Sequence, residues 1–264
     1  MRAFPVLVLC ATALLMCCKE DEPVFDPSVH FVAMETTRAQ KPVDFGALAE
    51  TYTTNLAQYV QGIDAEAHQR VTQALEKGRA GEQPHVQSQV VSKVLQKAFF
   101  AEAVAAMERL KGLRGKEYQK ELAALKGLYR CLQPTVVRRS EWIGLERELD
   151  ERCRHELGGL NGTPDGQTVA LKTAALESLL TRVYVLSVLY ELEGIEKNRG
   201  VDSLKCEEKV TEATLFLETV TPYARSDSIA TALQQELGKG YAELDVEAAR
   251  ALVRQAFPTY QPAG

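Results

Sequence analysis

Val86-Gln-Ser-Gln-Val-Val-Ser-Lys-Val-Leu-Gln-Lys-Ala-Phe-Phe100 begins a long apolar stretch that continues to Pro134 and has a similar copy later in the chain. Leu95 to Gly115 aligns without a gap with Leu180 to Gly200, at an offset of 85 residues, and both segments end in Arg-Gly. After that pair the offset becomes 88, which places Pro134 opposite Pro222. The repeat predicts two stacked helical units that share one core, because neither unit can bury its apolar face alone.

The overall composition is typical of an ordinary globular protein. It has 264 residues, 45% of them hydrophobic, and a formal net charge of −5 at pH 7. A nucleic-acid-binding surface needs a basic stripe that replaces the counterions of the phosphates, and this sequence has no block of Lys and Arg. We therefore expect no nucleic-acid partner.

The first 18 residues have the pattern of a secretory signal sequence. Met1-Arg2 provides a positive start, Ala3 to Met16 is apolar, and a charged cluster from Lys19 to Glu22 follows. The apolar run is shorter than the roughly 20 residues that a membrane-spanning helix needs. We therefore predict an exported protein.

The apolar run ends in Cys17-Cys18, without an Ala-x-Ala cleavage site, and resembles the lipobox of bacterial lipoprotein precursors. In that family the cysteine becomes the lipidated first residue of the mature protein, with a small residue before it and usually Leu three places before it. Cys18 fits this pattern better than Cys17, because Cys18 has the small Cys17 before it and Leu15 three places before it, whereas Cys17 is preceded by the bulky Met16. The resemblance implies a lipid anchor at Cys18 and a place at the cell envelope, periplasmic or surface-facing. A plain cleaved signal is the alternative.

Four further segments follow the signal sequence. Residues 19–43 contain three prolines among polar residues, which predicts a flexible tether. Residues 44–257 predict the helical body, with one copy over about 44–157 and a second over about 168–257. Turn residues fill the seam at 158–167, and residues 258–264 form a tail.

The helical body predicts an all-α fold, an antiparallel helical bundle with an internal duplication of a long helical hairpin. Apolar residues recur at three- and four-residue steps from Asp44 onward, and no stretch alternates as a strand would. Asp44 and Asp64 are predicted helix caps. Pro134 is predicted to end a helix, and Ser140 to begin a charged one in which Trp142 is a core residue. The other long helices are predicted over 86–113, 168–197, 202–221, 226–237 and 245–257.

Three cysteines remain after the signal sequence: Cys131, Cys153 and Cys206. In an oxidising compartment, a bridge from Cys131 to Cys153 would leave one free thiol. The alternative is that all three are small buried residues on helices.

Two pairs of residues are candidate metal ligands. Glu151 and His155 lie one helical turn apart, and Glu108 and Glu193 occupy equivalent places in the two copies. The alternative for Glu151 and His155 is a solvated helix face with ion pairs, and for Glu108 and Glu193 it is the solvent edge near a helix end. No cofactor is expected otherwise, and iron or zinc are the metals that such residues would bind.

A repeated helical body that follows a lipoprotein-like leader resembles the imelysin-like group of bacterial surface proteins, over roughly Asp44 to Phe257. That resemblance implies a two-bundle helical fold and a link to iron uptake. The group's Gly-x-His-x-x-Glu signature is absent, since neither His68 nor His155 has Gly two places before it and Glu three places after it. No site residue is therefore transferred from the group.

The motifs of familiar enzymes are also absent. The sequence contains no Gly-x-Ser-x-Gly elbow, no His-Glu-x-x-His motif, no phosphate-binding loop and no dinucleotide fingerprint. We therefore expect a non-catalytic binding or scaffolding protein of the cell envelope, with an unidentified protein partner and oligomeric state. An imelysin-like iron-binding protein is the alternative, and an uncharacterised hydrolase is the third possibility.

Overall fold

The structure, a computed structural model, describes residues 24–260, and over this range the chain forms twelve α-helices and no strand. The predicted all-α class is therefore confirmed. The signal sequence, Cys18, the first residues of the tether and the last four residues of the tail lie outside the described residues. The helices are α1 (Pro27–Ala39), α2 (Phe45–Asn55), α3 (Ala57–Ile63), α4 (Ala65–Arg79), α5 (Pro84–Gly112), α6 (Gly115–Trp142), α7 (Glu148–Gly158), α8 (Gly166–Asn198), α9 (Ser203–Val220), α10 (Asp227–Gly238), α11 (Gly240–Glu243) and α12 (Val246–Ala256).

The long helices α5, α6, α8 and α9 form the centre of the bundle, and the shorter helices pack around them. Their apolar positions meet in a single buried cluster that extends from Phe31 to Phe257. Both predicted copies therefore contribute to the same hydrophobic core. None of the described helices combines the length and the apolar character needed to cross a membrane.

The two Arg-Gly turns keep their equivalence in the structure. Gly115 is the first residue of α6, with φ of 57°, and Gly200 lies in the turn after α8, with φ of 79°. Both angles lie in the left-handed region, which glycine enters without a Cβ clash, so each glycine allows the turn between its two long helices. Beyond these turns the copies diverge, since α6 passes through Pro134 whereas α9 ends at Val220, before Pro222. Duplication itself stays a prediction.

The predicted helix end at Pro134 is wrong. Helix α6 continues through this proline to Trp142, so Ser140 lies in α6, and the charged helix α7 begins only at Glu148. Proline removes one backbone hydrogen bond and crowds the preceding turn, but packing can outweigh that loss. Here the side chains on both sides of the proline are buried: Cys131, Leu132, Thr135 and Val136.

The predicted tether is wrong over Pro27–Ala39, which forms helix α1. Asp26 caps the helix by accepting a hydrogen bond from the backbone N–H two residues later, at 3.0 Å. Phe31 and Met34 are buried in the core, and the Phe31 ring meets Phe99 edge-on with centroids 5.4 Å apart. A short apolar patch is therefore enough to hold α1 against α2 and α6.

Candidate ligand groove

A groove of about 710 Å³ lies between α1 and the second half of α6. This volume falls within the range of about 300–1,000 Å³ that small-molecule sites occupy. Most of its surface is apolar, and the residues that provide it are Phe31, Val32, Ala39, Cys131, Pro134 and Val137. The polar lining consists of Glu35, Thr36, Arg38, Gln96, Gln133, Thr135, Arg138 and Arg147.

Helix α5 contributes Gln96, a buried amide with both of its groups satisfied by the protein. Its Oε1 accepts a hydrogen bond from the Thr135 hydroxyl at 2.8 Å, and its Nε2 donates to the Ser92 hydroxyl at 3.2 Å. The contact with Thr135 fixes α5 against α6 at the groove, and each end of the amide has one partner within the protein.

On the α1 side of the groove, Arg38 is already paired. Its guanidinium donates to both carboxylate oxygens of Glu35, at 3.0 and 2.7 Å, and to the side-chain oxygen of Gln89 at 3.3 Å. Burial acts to raise the pKa of Glu35, but hydrogen bonds from Arg38 outweigh it and the pKa lies below its usual value. Glu35 therefore neutralises Arg38 and is itself held ionised.

Helix α6 and the loop after it add two further guanidinium groups. Within residues 24–260, Arg138 makes only one hydrogen bond, from Nε to the Pro134 carbonyl at 3.2 Å, and no carboxylate pairs with it. Arg147 contacts Asp150 at 3.2 Å, but the same carboxylate also contacts Arg154 at 3.3 Å. Three guanidinium groups and one carboxylate thus line the groove, so its charge is positive in a chain that is negative overall.

A network of five charged side chains lies in the bundle behind the groove. Arg139 of α6 donates to Glu191 of α8 at 2.7 Å. Lys209 of α9 donates to Glu191 at 2.5 Å and to Glu212 at 2.8 Å, and Lys93 of α5 lies 3.2 Å from the other oxygen of Glu212. The network therefore links all four central helices.

Burial governs the ionisation of this network. Lys93 is 3% exposed and Glu191 is 1% exposed. Burial lowers the pKa of Lys93, although Glu212 opposes it, and burial together with the Glu212 charge raises the pKa of Glu191 to about 7. Arg138, which lines the groove, also lowers the pKa of Lys93, so the groove and the network act on one another electrostatically.

These buried charges have a structural role. Each is paired within the bundle and none lines the groove, so none can meet a ligand there. Buried ion pairs contribute little net stability, but an unpaired buried charge costs several kcal/mol, typically about 3–5. The network therefore disfavours arrangements of the four helices that would separate its members.

The structure places the predicted metal ligands at the surface of the bundle. Glu151 and His155 are exposed on α7. Glu108 is exposed and paired with Lys111, one turn away. Among the described residues no group of three or more His, Cys, Asp or Glu side chains is arranged to hold a metal ion. Iron or zinc at these positions stays a prediction.

Glu193, the partner predicted for Glu108, has two protein contacts of its own. It pairs with Lys197, and it accepts a hydrogen bond from the Trp142 indole N–H at 2.9 Å. The hydrogen bond from Lys197 holds its pKa below the usual value. Trp142 is half-buried at the end of α6, so this aromatic residue serves as an anchor between α6 and α8.

The structure resolves the alternatives for the three cysteines. Cys131, Cys153 and Cys206 are all buried and unpaired, so no disulfide joins Cys131 to Cys153. Burial raises the pKa of Cys153 to about 12 and that of Cys131 in the same direction. Thiols with raised pKa values are poor nucleophiles, so Cys131 contributes apolar surface to the groove.

Sequence reasoning did not find the groove residues. Arg38 lies in the segment predicted to be a tether, and Arg138 lies beyond the proline predicted to end its helix. Two sequence signals point to these elements: Asp26-Pro27 is a cap followed by a first-turn proline, and Phe31 and Met34 are spaced for one helix face. Comparison with protein-family models, curated proteins and solved structures finds no match to this chain.

Proposed function

We propose that this protein is an exported, lipid-anchored protein of the cell envelope with a non-catalytic binding role, and that the groove between α1 and α6 is its binding site. The observation that carries the proposal is the groove itself, whose surface is mostly apolar although eight polar side chains also line it. Sites that bind small molecules have this composition, since apolar surface gives affinity and a few polar groups fix orientation.

The anchor is supported by the lipobox-like Cys17-Cys18 and by the surface that follows it. Four of the seven large, exposed hydrophobic side chains of the described chain lie within nine residues of one another: Val24, Phe25, Val29 and Val32. A fully extended chain from Cys18 to Val24 spans about 20 Å, so lipid at Cys18 would keep this apolar patch close to the membrane.

The chemistry of the groove favours binding over catalysis. Covalent catalysis needs a nucleophile beside a base, and general acid–base catalysis needs a group whose pKa is near the working pH. The thiol of the groove, Cys131, is buried with a raised pKa, and the carboxylate, Glu35, is held by Arg38. Neither group is prepared for proton transfer or attack.

Small molecules that remain bound to the full chain test this proposal. Protein carrying Cys18→Ala is purified without detergent and then denatured. The molecules that it releases are identified by mass spectrometry. Thr36→Trp places a large ring in the groove, whereas Ala33→Trp adds the same ring to an exposed position of α1 outside the groove. We expect an apolar ligand with the parent chain and with Ala33→Trp, and none with Thr36→Trp. Equal recovery from all three chains would contradict binding in this groove.

A further inference from the structure

We propose that the ligand of the groove is a single-chain amphiphile with an anionic head group. This inference rests on the proposed binding role and adds to it the chemical class of the ligand. Two features of the groove carry it: an excess of guanidinium groups over carboxylates, with Arg138 unpaired among the described residues, and an apolar lining that continues onto an exposed stripe of α1.

Charge determines the head group. The chain has a net charge of −5, yet three guanidinium groups and one carboxylate line the groove. Glu35 is paired with Arg38. Arg138 has no carboxylate partner among the described residues, and Arg147 shares the single carboxylate of Asp150 with Arg154, so positive charge remains for a ligand to meet. A carboxylate or phosphate that binds a guanidinium through two parallel hydrogen bonds is the strongest complement to such a group.

Repulsion between Arg138 and nearby buried cations favours an anionic ligand. Within the described chain, Arg138 has no carboxylate partner. Burial is the main cause that lowers the pKa of Lys93 and of Arg139, and the charge of Arg138 acts in the same direction on both. Lys93 and Arg139 are each paired with a carboxylate, Glu212 and Glu191, whereas Arg138 is not paired with any described one, so the repulsion among the three cations is only partly offset. An anion that binds Arg138 would relieve part of this repulsion, whereas a cationic ligand would add to it.

The apolar lining determines the rest of the ligand. Phe31, Cys131 and Val137 line the groove beside the guanidinium groups. Val32 lines it as well and is 49% exposed, and Val29, about one helical turn before it, is 67% exposed. An acyl or alkyl chain could therefore leave the groove along α1 while it stays in contact with apolar side chains.

Calorimetric titration of the full chain carrying Cys18→Ala tests this inference. The probes are dodecanoate, dodecanol, dodecyltrimethylammonium and inorganic phosphate, each below its micelle-forming concentration. A charge-assisted pair with guanidinium is worth about 1.5–3 kcal/mol, so dodecanoate should bind at least roughly tenfold more tightly than dodecanol. Dodecyltrimethylammonium and phosphate should bind more weakly still, because the first has a cationic head group and the second has no apolar chain.

Substitutions at the exposed arginines locate the head group. Arg138→Gln and Arg147→Gln should each weaken dodecanoate binding by roughly tenfold and leave dodecanol binding unchanged. Arg254→Gln on α12 is the matched control, since Arg254 is exposed and lies outside the groove. Circular dichroism of each variant confirms that the fold is retained.

The outcomes separate this inference from the proposed function. If dodecanol binds as tightly as dodecanoate, or if Arg138→Gln and Arg254→Gln behave alike, head-group recognition is overturned while a binding groove remains. If phosphate binds as tightly as dodecanoate, the proposed recognition of an apolar chain is overturned. If no probe binds and no molecule is recovered with the purified chain, the proposed function fails as well.

Discussion

Tyr184 places a hydroxyl in the apolar centre of the bundle. The residue is fully buried, its ring packs edge-on against Phe100 and Phe216, and its hydroxyl has no hydrogen-bond partner among the described residues. A buried polar group without a partner costs about 1–3 kcal/mol, so this hydroxyl opposes folding. Tyr129 is the contrasting case, because its hydroxyl donates to Asp150 at 2.6 Å.

Tyr184→Phe should therefore leave the free energy of unfolding unchanged or raise it by up to about 1 kcal/mol, since it removes a polar group and keeps the ring. Tyr129→Phe is the matched control and should lower it by about 1–2 kcal/mol, because it leaves the buried Asp150 with one donor fewer. Urea unfolding followed by circular dichroism measures both. Equal losses in the two variants would mean that Tyr184 has a hydrogen-bond partner in solution.

Glu191 makes the stability of the bundle depend on pH. Its folded-state pKa of about 7 lies above the usual value of 4.5, so the folded chain binds more protons than the unfolded chain between these two values. The stabilisation that Glu191 contributes is complete below pH 4.5, and it is lost as the pH rises through about 7. Relative to Glu191→Gln, the parent chain should lose stability between about pH 5 and about pH 8.

Urea unfolding of the parent chain and of Glu191→Gln at several pH values checks this expectation. Glu247→Gln changes an exposed carboxylate of α12 and serves as the control, which should follow the parent chain at every pH. A difference between the parent and Glu191→Gln that stays constant with pH would show that Glu191 keeps its usual pKa in the fold.

At the scale of helices, substitutions in α1 test whether the segment before Asp44 is part of the folded core. Phe31→Ala should lower the free energy of unfolding by about 3 kcal/mol or more, because it opens a cavity beside Phe99. Val29→Ala shortens an exposed side chain of the same helix and should change stability by less than about 0.5 kcal/mol. Thermal or urea unfolding compares them. Similar small effects in both variants would restore the interpretation of this segment as a tether.

Pro134 should lower the stability of α6, because the helix lacks one backbone hydrogen bond at this residue. Pro134→Ala restores a backbone N–H that can donate to the carbonyl four residues earlier, and should raise the free energy of unfolding by about 1–3 kcal/mol. Ala98→Gly in the buried centre of α5 is the opposite control and should lower it. A loss of stability in Pro134→Ala would show that the proline ring packs favourably where it lines the groove.

Helices with continuous apolar periodicity could be predicted from the sequence, and α5 and α8 lie within two residues of their expected bounds. The first part of α6 could also be predicted, as a helix over 116–132, but helix α1 and the continuation of α6 past Pro134 could not be predicted, since both depend on contacts made across the fold. Phe31 reaches the core by packing against Phe99 of α5, and Pro134 is tolerated because its neighbours are buried. The candidate groove is formed by these two helices, so the errors at α1 and α6 also concealed the site.

At the scale of the whole molecule, we propose that a lipid anchor and the groove between α1 and α6 act together. In the sequence, the exposed apolar side chains before and at the start of α1 begin six residues after Cys18, the predicted anchor, and Val32 also lines the groove. An amphiphile leaving a membrane would thus meet apolar surface before it meets Arg138. The buried network of ion pairs links α5, α6, α8 and α9, the helices that hold the groove in place.

The anchor at Cys18 is the claim on which this arrangement depends, and intact-mass spectrometry under denaturing conditions tests it most directly. The full chain is expressed in a bacterium and extracted from membranes, beside Cys18→Ala and the control Cys17→Ala. We predict a mature chain that begins at Cys18 and carries a diacylglyceryl group, in the parent and in Cys17→Ala but not in Cys18→Ala. A parent chain that is cleaved at another residue and carries no lipid would contradict the anchored binding protein.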